Sequence, residues 1–242
     1  MLLELYCISL AFFYTSSYNL ISTERFTEMN EQNIKIEKKS YSGKDRISKS
    51  NLIYKLALTA MLTAFAFVLG GIGSAIGIFD PWTNGGSVSL SSLPLVFIGL
   101  ICGWQYGLLG GVVYAGIDML MDNGYVYSVN AIWISILLDY ILGFGFAFVA
   151  GFFRKPFLKH KWWPFFVAMT FTMLLRFLSS FFSGVFAFAT IASWNSPATW
   201  IYSLTYNAGY TGISLVLDLI VGGLLIKPIW NAIDKSPLKL SL

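Results

Sequence analysis

Residues 128–161 read SVNAIWISILLDYILGFGFAFVAGFFRKPFLKHK, an apolar segment that ends in a cluster of Lys and Arg. A helix needs about 20 apolar residues to cross the hydrocarbon core of a bilayer, and residues 128–153 supply them. The basic residues that follow are typical of a cytoplasmic loop. Asp139 lies inside the apolar part. Because a charged group in lipid is costly, Asp139 is a candidate functional residue.

The charge pattern of the whole chain extends this interpretation. Residues 56–153 contain no Lys or Arg, and the only basic residue between positions 162 and 226 is Arg176. The chain is 56% hydrophobic and 12% charged, with a mean hydropathy of +0.67, which is too apolar for a soluble domain. Orientation in the membrane explains the net charge of +4 better than nucleic acid does, so we expect no nucleic-acid partner.

The apolar stretches predict the number of spans. They cover residues 52–79, 91–121, 128–153, 162–192 and 199–229. The second is long for one helix and short for two, and the segment from Gly103 to Gly107 interrupts it. The basic N-terminal segment, the 154–161 loop and the C-terminal tail should all be cytoplasmic, which requires an even number of spans before that loop. We predict an all-α integral membrane protein, a bundle of six transmembrane helices with both termini cytoplasmic and a tight turn near Trp104.

Three regions follow from this topology. Residues 1–50 form a polar or weakly apolar N-terminal extension, residues 51–231 the six-helix membrane domain, and residues 232–242 a cytoplasmic tail. Met29 opens a polar segment that resembles a natural start. Residues 1–28 are therefore either not native or a weak membrane-associated segment.

Catalytic signatures are missing from the sequence. We find no Walker motif, nucleophile elbow or HExxH motif. Two cysteines and one histidine, His160 in a basic loop, give no support for a metal site. We therefore predict no catalytic residue, metal or cofactor. A solute carrier without an ATP site must use an ion gradient or a partner's ATPase.

The predicted outer ends of the last three spans combine aromatic and polar side chains. Together with the first outer loop, they contribute Trp82, Tyr125, Tyr127, Asn130, Trp133, Asp139, Tyr140, Ser179, Ser180, Gly184, Tyr202, Tyr206 and Asn207. A pocket with aromatic walls and one carboxylate suits a flat, cationic organic ligand. Three simpler interpretations remain open: interfacial aromatic residues, an ion pair between Asp139 and Arg176, and an interhelical hydrogen bond from Asn207.

Several motifs in residues 51–231 resemble the thiamine-specific S component of bacterial energy-coupling-factor (ECF) transporters. They are Ala60-Met61-Leu62-Thr63-Ala64, Leu93-Pro94, GLLGGVVYAG at 107–116, Leu138-Asp139-Tyr140, LLRFLSSFFSG at 174–184 and Tyr202-Ser203-Leu204-Thr205-Tyr206-Asn207. The resemblance implies a bacterial cell-membrane subunit that captures thiamine and has no ATPase of its own. It also implies that Ala60 and Ala64 dock on a coupling transmembrane subunit, which works with two ATPase subunits.

The resemblance also implies roles for the candidate site residues. Asp139 would offset the positive charge of the ligand, Tyr202 and Asn207 would hydrogen-bond its aminopyrimidine, and Trp82 and Tyr140 would stack on it and close the site.

Three positions depart from the family pattern. Asp139 stands where the family has Glu, Ser180 where relatives carry His, and Phe188 where a stacking Trp is expected, although Trp194 is nearby. The resemblance therefore implies thiamine as the ligand, and these departures leave open a thiamine phosphate ester or another thiazolium or pyrimidine compound.

Other functions remain open. An S component for riboflavin or hydroxymethylpyrimidine would share the fold. An ion-coupled secondary carrier would use Asp118, Asp139 and Asp218 as proton sites. An intramembrane enzyme would need a catalytic pair, and we find none on a common helix face.

Overall fold

The computed structural model describes residues 30, 32, 51–72, 88–121, 132–187 and 196–236. The chain divides into two compact units, Met1–Leu52 and Ile53–Leu242. In the first unit, Asn30 and Gln32 are helical and exposed. The candidate site belongs to the second unit.

The described ranges fold into helices, without any β-strand. These helices are α1 (Asn51–Ile72), α2 (Ser92–Cys102), α3 (Trp104–Met121), α4 (Ile132–Leu158), α5 (Trp163–Phe186) and α6 (Pro197–Lys235). A helix satisfies its own backbone hydrogen bonds, as apolar surroundings demand. Helices α1, α4, α5 and α6 are long and apolar enough to cross a membrane.

The predicted interruption of 91–121 is confirmed. Helix α2 ends at Cys102, and Gly103 has a φ of 113°, a conformation that a residue with a Cβ rarely adopts. Helix α3 begins at the next residue. With 11 residues, α2 is shorter than the roughly 20 needed to cross a bilayer by itself. Every residue of α2 is buried, which explains why this helix is apolar on all sides.

Helix α4 is irregular along most of its length. A π-helical turn covers Ile136–Leu142, and 3₁₀ geometry covers Phe146–Phe153. The helix continues through Arg154–Leu158, so the predicted basic loop at 154–161 is shorter than expected. Phe157 explains the extension, because its side chain is fully buried and packs against Trp230.

One end of the bundle carries the basic side chains, and we call it the basic end. There the Arg154 side chain donates to the carbonyl of Ile101 at 2.9 Å. The Trp230 indole donates to the carbonyl of Phe157 at 3.0 Å. The Nε2 atom of His160 lies 3.3 Å from a carboxylate oxygen of Asp234. The α2–α3 turn, the α4–α5 connection and the end of α6 therefore meet at the basic end.

The core and the exterior are both apolar. In the core, the rings of Phe97 and Phe165 stack with centroids 5.3 Å apart, and those of Tyr114 and Phe144 lie 4.5 Å apart. On the exterior, Leu120 and Leu224 are 76% and 75% exposed. Large apolar surfaces facing outward are costly in water and fit a lipid environment.

Candidate functional site

The carboxylate of Asp139 accepts hydrogen bonds from several serines. Asp139 lies in the π-helical turn of α4 and is half-buried. Its Oδ2 atom accepts from the hydroxyl of Ser135 at 3.0 Å and also from the hydroxyl of Ser183. The Ser180 hydroxyl also interacts with this carboxylate. Ser135 lies four residues before Asp139 on α4, and Ser180 and Ser183 lie three apart on one face of α5. The carboxylate is therefore fixed in position by two helices.

Asn207 is the centre of a second polar group, on α6. Its side chain is 5% exposed. The amide nitrogen donates to the carbonyl of Ser203 at 2.8 Å and to its hydroxyl at 3.2 Å. The amide oxygen accepts from the hydroxyl of Tyr210 at 2.8 Å. These bonds hold the amide of Asn207 in one orientation.

The two polar groups are connected through α5. The Ser180 hydroxyl interacts with both Asp139 and Tyr210, and the Tyr210 hydroxyl donates a hydrogen bond to Asn207. A Cβ atom at Gly184 would lie 3.1 Å from the Cβ of Ser203 and 3.3 Å from the amide nitrogen of Asn207, so α5 and α6 approach closely here. We call the chain Asp139–Ser180–Tyr210–Asn207 the polar network. It joins α4, α5 and α6.

Three tyrosines extend from the polar network along α6. Tyr206 meets Tyr210 edge-on at 5.8 Å, and Tyr202 stacks on Tyr206 at 5.7 Å with an interplanar angle of 23°. Tyr202 is 56% exposed, whereas Tyr210 is 9% exposed. The three tyrosine rings therefore form a row along α6 that runs from the exposed Tyr202 to the buried Asn207.

The structure brings together part of the predicted site. Asp139, Ser180, Gly184 and Asn207 meet in or beside the polar network, and Tyr206 and Tyr202 adjoin it. Tyr140 is buried in the apolar core, and Trp133 is 79% exposed. Trp82, Tyr125, Tyr127, Asn130, Phe188 and Trp194 lie outside the described residues. The roles expected of all these aromatic residues remain predictions.

Arg176 does not pair with Asp139. Its Nη1 atom donates to the hydroxyl of Ser92 at 2.6 Å, and its guanidinium lies 4.2 Å from the centroid of the Phe144 ring. The described residues therefore form no direct Asp139–Arg176 ion pair, and mutual neutralisation of the two charges stays a prediction.

Four polar residues of the site were not identified from the sequence. They are Ser135, Ser183, Ser203 and Tyr210. Each lies three or four residues from a predicted site residue, so helical spacing was the one available signal.

Two further findings concern partners and metals. Ala60 and Ala64 are both exposed on α1, where a partner can reach them. In the part of the chain with assigned structure, no three His, Cys, Asp or Glu side chains come close enough to hold a metal ion.

The long apolar helices, with their apolar outer surfaces, define an integral membrane protein. Residues 56–232 match the sequence profile of the thiamine transporter protein family (Thia_YuaJ), and the chain belongs to this family. The thiamine transporter ThiT of Bacillus subtilis (strain 168) is 29% identical over 183 residues, which cover 72% of this chain and 91% of that protein. The solved structure of ThiT from Listeria monocytogenes has the same fold, with a TM-score of 0.61 at 20% identity over 74% of this chain and 97% of that one. The chain is a multi-pass protein of the plasma membrane.

Proposed function

We propose that this chain is the substrate-capture subunit of an ECF-type importer and binds thiamine, or a close derivative, from outside the cell. The observation that carries the proposal is the polar network from Asp139 to Asn207, enclosed by three helices of a thiamine-transporter-family chain.

The chemistry of thiamine matches this network. Thiamine joins a cationic thiazolium ring to an aminopyrimidine. A cation about 4 Å from Asp139 would gain roughly 4 kcal/mol at an effective dielectric constant near 20. Both amide hydrogens of Asn207 are engaged by Ser203, but its oxygen has a second lone pair beside the one used by Tyr210. That lone pair is free to accept a hydrogen bond from the amino group of the pyrimidine.

Aromatic side chains would hold the flat rings of the ligand. Tyr202 and Tyr206 present stacked faces next to Asn207. We assign the remaining stacking and closing contacts to Trp82, Tyr127, Trp133, Tyr140, Phe188 and Trp194. Base-like rings and cations are both attracted to such faces.

The proposed orientation places the network on the outer side. Helix α5 starts at the basic end, and Ser180, Ser183 and Gly184 lie in its last third. With six spans and both termini in the cytoplasm, the positive-inside rule puts the basic end in the cytoplasm and these residues toward the exterior. The exposed Ala60 and Ala64 would then meet the coupling subunit, and two ATPase subunits would supply the energy that this chain does not generate.

Calorimetric titration of the detergent-purified protein with thiamine tests the proposal. Asp139→Ala and Asn207→Ala should each weaken thiamine binding by about tenfold or more, because each removes a direct polar contact. Asp118→Ala is the matched control, since Asp118 lies on α3, which contributes no residue to the network, and this variant should bind thiamine like the wild type. Wild-type affinity in both site variants would refute the proposal.

One observation favours a second candidate function. Asp218 is fully buried, and neither of its carboxylate oxygens has a hydrogen-bond partner in the described structure. An ion-coupled carrier is also expected to hold such a buried carboxylate within the membrane. In that case Asp118, Asp139 and Asp218 would exchange protons. Thiamine uptake into vesicles that lack ATPase partners, abolished by an uncoupler, would favour the carrier over the capture subunit.

A further inference from the structure

Asp218 has no place in the polar network, yet it is the most deeply buried carboxylate that the structure describes. It is 0% exposed, and both of its oxygens lack hydrogen-bond partners there. Burial of an ionised carboxylate without compensation is costly, so a nearby positive charge is needed to keep it ionised. The positive charge of Arg176 acts on both Asp218 and Asp139, so the geometry must decide which carboxylate it balances.

Contacts between α2 and α6 place the Arg176 guanidinium at the level of Asp218. The backbone N–H of Ser89 donates to the hydroxyl of Ser214 at 3.2 Å, and Leu93 packs against Gly222. Ser214, Asp218 and Gly222 are four residues apart and share one face of α6. Ser92, which holds the guanidinium at 2.6 Å, lies between Ser89 and Leu93 in the chain.

The directions of the helices favour Asp218 over Asp139 as the counter-charge of Arg176. Side chains in a helix tilt toward its N-terminus. Helix α5 begins at the basic end, so Arg176 tilts toward that end. Helices α4 and α6 finish at the basic end, so Asp139 and Asp218 both tilt away from it. On α4, the Arg176 side chain contacts Gly143 and Phe144. Asp139 lies about one helical turn before Gly143, and therefore farther from the basic end. Arg176 and Asp218 therefore tilt toward each other, whereas Asp139 tilts away from Arg176.

We propose that Asp218 is a positioning residue that balances the charge of Arg176 and so leaves the negative charge of Asp139 to the cationic ring of the ligand. The inference rests on the proposed function. With Asp218 ionised, the three groups carry one net negative charge, which a thiazolium cation neutralises. Without Asp218, the Arg176 side chain turns toward Asp139, and the site loses its preference for a cation.

The test compares thiamine with its neutral isostere 3-deazathiamine, in which a thiophene replaces the thiazolium. Both ligands are titrated by calorimetry against the detergent-purified full chain. Asp218→Asn should weaken thiamine binding by about tenfold or more and leave 3-deazathiamine binding within about threefold. A purely structural role for Asp218 would instead weaken the binding of both ligands alike, and that result would overturn the inference.

The double variant Arg176→Gln/Asp218→Asn removes both charges together and keeps the test decisive even if Asp218→Asn does not fold. If Asp218 balances Arg176, the thiamine preference of the double variant should equal that of the wild type within about threefold. If Asp139 balances Arg176 instead, removing the guanidinium would raise the preference for thiamine over 3-deazathiamine by about tenfold or more, which would refute the inference.

A wild-type protein that binds 3-deazathiamine but shows no preference for thiamine would refute this inference alone. A wild type that binds neither ligand would refute the proposed function as well.

Discussion

Asn207 illustrates how one buried side chain organises the site. Its amide can form four hydrogen bonds, and three of them are made to Ser203 and Tyr210. The orientation of the amide is thereby settled before any ligand arrives, which reduces the entropy that binding would cost. The same bonds also contribute to the stability of α6 and its packing on α5.

Asn207→Asp tests this structural contribution. The change keeps the size of the side chain and the acceptor for Tyr210. It replaces the amide nitrogen, a donor, with a second acceptor oxygen at the position 2.8 Å from the carbonyl oxygen of Ser203. We expect a loss of about 2–4 kcal/mol in the free energy of unfolding, because a buried acceptor pair replaces a hydrogen bond. Thermal unfolding of the ligand-free protein in detergent measures this loss of stability.

Thr205→Ala is the matched control for Asn207→Asp. Thr205 is exposed on the same helix, and in the described part of the chain its hydroxyl bonds to backbone carbonyls of the preceding turn. The free energy of unfolding should change by less than about 0.5 kcal/mol. Equal stability of the two variants would contradict the role given to the Asn207 amide.

At the scale of single residues, the sequence predicted the site residues of types that are rare in apolar helices and missed those of types that are common there. Asp139 and Asn207 stand out because carboxylates and amides are rare in apolar helices. Ser183 and Ser203 do not, because a helical serine often bonds its own backbone, and its neighbours depend on how two helices are aligned. That alignment is a property of the packed bundle, which the linear sequence does not display.

The contact between α5 and α6 holds the site together at the level of helices. The hydroxyl of Ser203 donates to the carbonyl of Phe181 at 2.7 Å, and Gly184 faces the same turn of α6. Without a side chain at Gly184, the two backbones can approach closely, as small residues permit in membrane helices. The separation of α5 and α6 therefore sets the distance between the carboxylate and the amide.

Gly184→Ala should push these two helices apart. The added methyl group would meet the side chains of Ser203 and Asn207. We expect a loss of about 1–3 kcal/mol in stability and a loss of thiamine affinity of about tenfold or more. Gly212→Ala on α6 is the control, because a methyl group there would meet no described residue of another helix within 4 Å. It should leave stability unchanged or slightly higher, since Ala favours the helix. Equal effects of the two changes would exclude the proposed close contact.

The helices were predictable where a single residue marks a boundary. Gly103 marks the turn between α2 and α3, and its positive φ shows why a glycine is favoured at this turn. The π-helical turn around Asp139 was not foreseen, because a shift in backbone hydrogen bonding leaves no trace in hydropathy. Such turns are frequent at functional sites. The extensions of α4 and α6 at the basic end were also missed, because Phe157 and Trp230 lie among charges that indicated loops.

At the scale of the whole molecule, the basic residues define one end of the bundle. Contacts of Arg154, His160 and Trp230 bring the α2–α3 turn, the α4–α5 connection and the end of α6 to this end. The six-span topology with both termini in the cytoplasm predicts that the basic end faces the cytoplasm.

Cysteine labelling tests this orientation. In a variant that lacks Cys7 and Cys102, a cysteine is introduced either at Lys159, exposed at the basic end, or at Ala198, exposed at the start of α6. A membrane-impermeant maleimide applied to intact cells should label Ala198→Cys and should reach Lys159→Cys only after permeabilisation. Labelling of Lys159→Cys in intact cells would refute the proposed orientation.

The most direct measurement is a fluorescence titration of the detergent-purified protein with thiamine, its monophosphate, its pyrophosphate, hydroxymethylpyrimidine and riboflavin, each in a separate experiment. The chain has 8 tryptophans, and a ring system stacked near any of them should quench their emission. We expect saturable quenching by a thiamine compound, and by neither riboflavin nor hydroxymethylpyrimidine. Saturable quenching by riboflavin or hydroxymethylpyrimidine alone, or by none of the five compounds, would contradict thiamine capture.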